Sequence, residues 1–200
     1  NYINENQYCA VFVGGSLFMD SKFDKRIDIL RSKTKLPLIS FPSSSSHIHK
    51  KFDAILFLSL ISGRNPQYLI GEHINSAPII HSLGLESIPV GYILLDGGGR
   101  SSVEVMSNTR SLPMEKVDII IAHALASEYL GHRFIYLECG SGASKCINLN
   151  LLEKVKKTIN IPIIVGGGVK NENDIKKLHN SGADLIVIGT MIEKNSKKQG

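Results

Sequence analysis

Short, almost wholly apolar runs rich in β-branched residues recur along this chain of 200 residues, each followed by a loop and a longer amphipathic stretch. The runs are Cys9–Gly14, Leu36–Phe41, Ala54–Ser59, Val90–Asp96, Phe134–Glu138, Pro162–Val165 and Asp184–Ile188. They do not alternate apolar with polar, so strands formed from them must be covered on both faces, as in a parallel sheet. Between them the spacing predicts helices over Phe23–Ser32, Pro66–Leu83, Met114–Leu130, Leu149–Thr158 and Glu172–Ser181. Asn148 or Asn150 is placed to cap the fourth and Asn171 the fifth, and Gly182 is the residue type that ends a helix.

Regular βα alternation leaves two α/β architectures, an open doubly wound sheet or a closed barrel. A flavodoxin-like sheet carries its phosphate loop early, whereas here three glycine-bearing loops follow the last strands in the chain. That favours a (β/α)₈ TIM-type barrel, with ligand loops at the C-terminal ends of the strands. Seven strands are one short of a barrel, and the polar opening Asn1–Tyr8 fits no βα unit. Residues 1–200 are therefore expected to form a single barrel domain without its N-terminal strand.

With 42% hydrophobic residues the chain can bury a substantial core, which argues against disorder. The net charge of +5 sits largely in Lys-rich helical segments, read as solvated faces. No basic stripe is interleaved with aromatics and Trp is absent, so nucleic acid is not the expected partner. Cys9, Cys139 and Cys146 form no CxxC pair, and the N-terminus has no signal-peptide character, which together predict a cytoplasmic setting. No apolar run reaches the ~18 residues of a membrane span.

The most informative segment is Tyr136-Leu137-Glu138-Cys139-Gly140-Ser141-Gly142-Ala143. A strand delivers Tyr136 and Glu138 to one face, since strand side chains repeat every two residues. The Gly-Ser-Gly that follows can bring backbone N–H groups and a hydroxyl against an anion. Gly166-Gly167-Gly168 and Gly189-Thr190 end the next two strands in the same way, and three such loops point to a phosphate. Glu138 is the candidate to bind substrate hydroxyls and take up a proton, a structural ion pair with Arg or Lys being the alternative. Tyr136 is either a donor to substrate or a core tyrosine. Ser16, after Val13-Gly14-Gly15, offers one oxygen to Mg²⁺. The seven histidines show no spacing with acidic partners that marks zinc. Pro42–Ser46 reads as a flexible loop or as a mobile loop over a ligand, and SSVEVMSNT as an extension of the loop begun by Asp96-Gly97-Gly98-Gly99-Arg100.

The stretches VGGS, DAILFLSLISGRNPQYLIGEH, GYILLDGGGRSSVEVMSNT, YLECGSGA, IPIIVGGGV and ADLIVIGTMIEK occur in order between Val13 and Lys194. In them the chain resembles the geranylgeranylglyceryl phosphate synthase family, which includes heptaprenylglyceryl phosphate synthases. The resemblance implies a modified barrel that uses Mg²⁺ to join a polyprenyl diphosphate to sn-glycerol 1-phosphate through an ether bond. It implies that Tyr136, Leu137, Glu138, Cys139, Gly140, Ser141 and Gly142 contact the glycerol phosphate, that Gly167, Gly168, Gly189 and Thr190 hold its phosphate, and that Ser16 serves the metal. It also implies a homo-oligomer and, given a lipid donor, peripheral membrane contact. Three departures stand out: no family-type Asp and Lys strand before Asn1, four serines after Pro42 where relatives read PGN, and Cys139 in place of Ala. The rival expectations are another phosphosugar enzyme on the same fold and a non-catalytic glycerol phosphate binder.

Overall fold

The computed structural model describes residues 8–16 and 21–192, which divide into two compact units. The first takes in the described residues of Asn1–Leu58 together with Pro66–Ile88, and the second Ser59–Asn65 together with those from Pro89 onward. In chain order the elements are β1 (Val11–Gly14), α1 (Phe23–Lys33), β2 (Leu38–Phe41), a 3₁₀ turn (Ser45–His47), β3 (Ala54–Ser59), a π turn (Gln67–Gly71) running into α2 (Glu72–Leu83) and β4 (Glu86–Leu94). Then follow α3 (Ser102–Ser107), α4 (Val117–Tyr129), β5 (Phe134–Glu138), α5 (Leu149–Thr158), β6 (Ile163–Gly166), α6 (Glu172–Asn180) and β7 (Leu185–Val187).

In the first unit β1, β2 and β3 are parallel neighbours, with Val11 opposite Leu38 and Ile39 opposite Ala54. Phe23 and Ile27 of α1 pack on Leu38 and Phe52, with Val11, Val13, Leu30 and Leu85 around them. The serine-rich stretch after β2 is tied down by its own hydrogen bonds. Ser40 Oγ donates to the His47 carbonyl at 2.9 Å, Ser43 Oγ meets His47 Nδ1 at 3.1 Å, and the Ser45 N–H donates to Glu72 Oε2 at 3.1 Å. Small hydroxylic side chains bond readily to nearby backbone, which is what turns an apparent low-complexity loop into a 3₁₀ turn.

In the second unit β4 to β7 are likewise parallel and in chain order. Ile93, Ile135, Leu137, Ile163 and Val165 are fully buried against Ile120, Ala124, Leu151, Leu152, Val155 and Leu178 of the helices. The residues one position away, Tyr92, Leu94, Tyr136, Glu138 and Ile164, turn to the opposite face, and they too are buried. Burial on both faces is the reason these strands carry no alternation in the sequence.

One device recurs in both units. The last turn of a helix supplies a cation (Arg31 of α1, Lys156 of α5) to an aspartate just before a later strand (Asp53, Asp184), at 2.8 Å and 2.7 Å. Each aspartate also accepts the first backbone N–H of the intervening strand, Leu38 at 2.7 Å and Ile163 at 2.8 Å. A single carboxylate thus fastens helix, strand and next strand at one end of each βαβ unit.

The expected caps are present: Asn148 Oδ1 accepts from the N–H groups of Asn150 and Leu151, and Asn171 Oδ1 from that of Asp174. Gly182, with φ +109°, follows α6. Two expectations are corrected. SSVEVMSNT is not loop: residues 102–107 form α3, nucleated by a reciprocal capping box between Ser101 and Glu104 and ended by Asn108 in the left-handed region. β4 begins at Glu86 rather than Val90 and runs through Pro89, whose carbonyl still accepts the Arg133 N–H at 2.8 Å.

Candidate functional site

Register brings the site together. In the second unit Tyr92, Tyr136 and Ile164 lie side by side on β4, β5 and β6, and one step on lie Leu94, Glu138 and Gly166. Tyr136 and Glu138 therefore share the face turned away from the helices, as their spacing predicts. Gly166, between them and β7, leaves open the space that a side chain there would take from them. A Cβ on it would sit 2.6 Å from Glu138 Oε2 and 2.8 Å from Tyr136 Cε2, and would strike the Tyr136 hydroxyl. The absent side chain is the space into which the phenol and carboxylate of the neighbouring strand lean.

Glu138 is only 7% exposed. Its Oε1 accepts the Gly140 N–H at 2.6 Å and its carboxylate accepts the Tyr136 hydroxyl. Burial pushes its pKa above the ordinary carboxylate value, opposed by the hydrogen bonds from Tyr136 and Gly140. Among the described residues its partners are a phenol and an amide, not the Arg or Lys of a structural ion pair. A buried carboxylate so placed is a strong acceptor for an alcohol O–H and has the raised proton affinity that general-base work needs. Tyr136, 2% exposed, has its own pKa held well above the phenol value by burial and by the Glu138 charge, so it acts as a donor. Tyr92 packs edge-on against it at 5.2 Å between ring centroids.

The three glycine loops differ in how they are built. Gly167 has φ +83°, and a Cβ on it would lie 2.7 Å from both Glu138 Oε1 and the Gly140 nitrogen. Only glycine satisfies both the backbone angle and the approach, so the β6 loop is pressed against the β5 loop at the carboxylate. Gly168 in turn backs onto the Lys145 carbonyl, in the segment after β5. Ser141 and Gly142 are exposed beyond Gly140. Gly189 is also exposed, with open space on its Cβ side, and Thr190 to Ile192 are helical, with the Ile192 N–H donating to the Gly189 carbonyl at 3.0 Å.

Two of the residues named from the sequence point elsewhere. Leu137 and Cys139, 0% and 2% exposed, belong to the helix-facing cluster, so only their backbone lies on the site's side of β5. The Cys139 thiol is pushed out of the reactive range by burial and by neighbouring Cys146, Glu138 and Asp96. Ser16, half-buried after β1, belongs to the first unit. Gly166 and Tyr92 were not singled out as site residues; Tyr92 shows no sequence signal, but the run of three glycines, one more than a loop needs, marks Gly166.

The PcrB family model matches residues 2–199. The chain belongs to the PcrB family. It is 46% identical over 194 residues to the geranylgeranylglyceryl phosphate synthase of Flavobacterium johnsoniae, covering 97% of this chain and 80% of that protein. Against the enzyme of the same name from Zunongwangia profunda identity is 45% over 188 residues, covering 94% of this chain and 80% of the relative. The solved (S)-3-O-geranylgeranylglyceryl phosphate synthase of Thermoplasma acidophilum, in complex with its substrate sn-glycerol-1-phosphate, superposes with TM-score 0.87 at 35% identity. That match covers 92% of this chain and 74% of the other. These structural relatives place the PcrB chain in the (β/α)₈ barrel class expected from its sequence. Among the described residues no helix is long and apolar enough to cross a membrane.

Proposed function

We propose that this PcrB-family chain is a prenyltransferase that joins a polyprenyl diphosphate to sn-glycerol 1-phosphate, forming an ether and releasing diphosphate. The observation that carries the reading is the buried Glu138 carboxylate, bonded to a phenol and an amide, beside glycine-built ends of consecutive parallel strands. The named relatives and the glycerol-phosphate complex of the Thermoplasma enzyme support it.

In the proposed reaction the allylic C–O bond to diphosphate breaks and the glycerol hydroxyl oxygen bonds to that carbon, losing its proton. Glu138 accepts a hydrogen bond from the hydroxyl, aligns its oxygen and has the proton affinity to take the proton. Tyr136 holds the carboxylate in place by donating to it. Backbone N–H groups of Ser141, Gly142, Gly167, Gly168, Gly189 and Thr190 are assigned to the phosphate, which spares the site a cationic side chain, while the Gly140 N–H is already given to Glu138 Oε1. Magnesium with Ser16 as ligand belongs to the same reading. One hydroxyl falls short of an octahedral oxygen shell, and among the described residues no group of three or more His, Cys, Asp or Glu side chains is placed to hold a metal ion, so no step here runs through it.

A homo-oligomer is also part of the reading. Contact with a membrane surface is the route by which the lipid donor would arrive.

The test is transfer of a labelled prenyl group to glycerol 1-phosphate by the intact protein. Wild type is expected to form the ether lipid and Glu138→Gln to lose about 10²-fold or more in turnover. Glycerol phosphate binding without any transfer would favour a non-catalytic binder, and transfer undiminished in Glu138→Gln would remove the carboxylate from the mechanism.

A further inference from the structure

The segment between β4 and α4 contains none of the residues assigned to the substrate, yet it is laid against them. Its base is closed by the Asp96 N–H to the Leu112 carbonyl at 2.9 Å and the Leu112 N–H to the Leu94 carbonyl at 2.8 Å. On its flank the Gly97 carbonyl accepts the Lys145 N–H at 3.0 Å and Ser144 Oγ at 3.1 Å, and a Cβ on Gly97 would strike the Cys139 carbonyl and lie 2.7 Å from the Ala143 Cβ. At its tip Ser101 Cβ stands 3.0 Å from where a Cβ of Gly140 would lie. Gly140 is the residue whose N–H donates to Glu138 Oε1 and whose nitrogen faces Gly167.

One carboxylate holds the tip closed. Glu104 Oε2 accepts the Ser101 N–H at 2.9 Å, and Oε1 accepts the Ser111 N–H at 3.0 Å and the Ser111 hydroxyl at 2.9 Å. Ser101 Oγ returns a bond by accepting the Glu104 N–H at 3.2 Å. Three donors converge on two oxygens, an arrangement only an ionised carboxyl satisfies; an amide offers one acceptor oxygen and turns an NH₂ toward donors. Burial opposes the charge, but the bonds from Ser111 and Ser101 and the Arg100 charge outweigh it and hold the Glu104 carboxyl below its ordinary value.

We infer that Glu104 is a positioning residue for the glycerol phosphate subsite: by fastening Ser101 to Ser111 it seats Ser101 against Gly140, and so sets where the Gly140 N–H and the Glu138 carboxylate stand. The inference rests on the proposal that glycerol phosphate binds beside Glu138. Gly97 anchors the base of the segment to the residues after β5, and Ser101 is the contact its tip makes at Gly140, where well-packed atoms have little slack to absorb a displacement.

The experiment compares wild type, Glu104→Gln and Ser111→Ala. Affinity for glycerol 1-phosphate is measured by calorimetry, and KM for the prenyl diphosphate by the transfer assay. Glu104→Gln is expected to weaken glycerol phosphate binding about tenfold, equivalent to ~1.4 kcal/mol, with the prenyl diphosphate KM within about twofold of wild type. Ser111→Ala, which deletes one of the three donors and leaves the backbone bond, is expected to weaken it about threefold, and it decides the question if the Gln variant does not fold. Equal shifts in both constants would mean a general structural role and overturn the inference. Unchanged glycerol phosphate affinity in both variants overturns it alone, whereas wild type that binds no glycerol phosphate refutes the site reading and this inference together.

Discussion

Replacing Gly166 by alanine adds one methyl group where Tyr136 and Glu138 lean over β6. The backbone angle is no obstacle, since Gly166 lies in β6 outside the positive-φ set. The obstacle is space: the new Cβ would stand 2.6 Å from Glu138 Oε2 and 2.8 Å from Tyr136 Cε2, where ordinary van der Waals contact begins at 3.4 Å. The strand cannot retreat, being paired with β5 on one side and β7 on the other, so the Tyr136 and Glu138 side chains must move. Overpacking of this kind costs about 1–3 kcal/mol of stability. A displacement near 1 Å of a group that aligns the nucleophile costs on the order of 10²-fold in rate. Thermal melting and the prenyl transfer assay on one preparation measure both. The expected result is a folded protein with a lowered Tm and turnover down by about two orders of magnitude. A Gly166→Ala variant with wild-type turnover would show that the carboxylate and phenol need not occupy the space above β6, and the geometric argument for Glu138 would fail.

Gly189→Val is the contrasting case: a Cβ there meets nothing within 4 Å, so the fold should be little affected while glycerol phosphate affinity falls. Calorimetry giving a wild-type affinity would take the phosphate away from that loop. Glu138→Gln should raise stability as it lowers activity. Because the folded-state pKa of Glu138 is raised, the folded protein binds its proton more tightly than the unfolded chain, and wild-type stability falls as pH rises from the ordinary Glu range through the folded pKa. The Tm difference between Gln variant and wild type is therefore expected to widen with pH over that window, and a constant difference would contradict the burial argument. Asp184→Ala should cost about 1–2 kcal/mol, mostly for the orphaned Ile163 N–H, since the partly exposed Lys156 pair contributes little. Burial raises the Asp184 pKa, but its bonds to Lys156 and Ile163 and the Lys156 charge outweigh that and hold it low, so this contribution is present at neutral pH and is lost as pH falls through the folded value. Denaturant melts at pH 7 and at a pH below the ordinary Asp range should show the mutational penalty shrinking.

Much of the second unit was legible in the chain. Strands buried on both faces must be apolar throughout, so β5 was placed residue for residue and β6 to within one. Asn148 and Asn171 were readable as caps because a short side-chain oxygen is what a helix start requires. α3 was missed, although Ser101 and Glu104 stood at capping-box spacing, because Val, Ser and Thr around them are weak helix formers and the helix depends on that box. The orientation of the Leu137 and Cys139 side chains followed from the same two-residue period that turned Tyr136 and Glu138 to the other face, which leaves these two only their backbone to offer a ligand.

What the amino-acid order determines unaided is local: where strands and helices form, which side chains share a face, and which positions admit only a small residue or a cap. Tertiary structure alone decides that Glu138 stands opposite Gly166 and not one residue away, and that the Gly167 and Ser101 segments close on Gly140. The physical reason is register. A one-residue slip between parallel strands reverses every side chain, and only the packing of helices on one face and of Tyr92, Tyr136 and Glu138 on the other selects a single alignment.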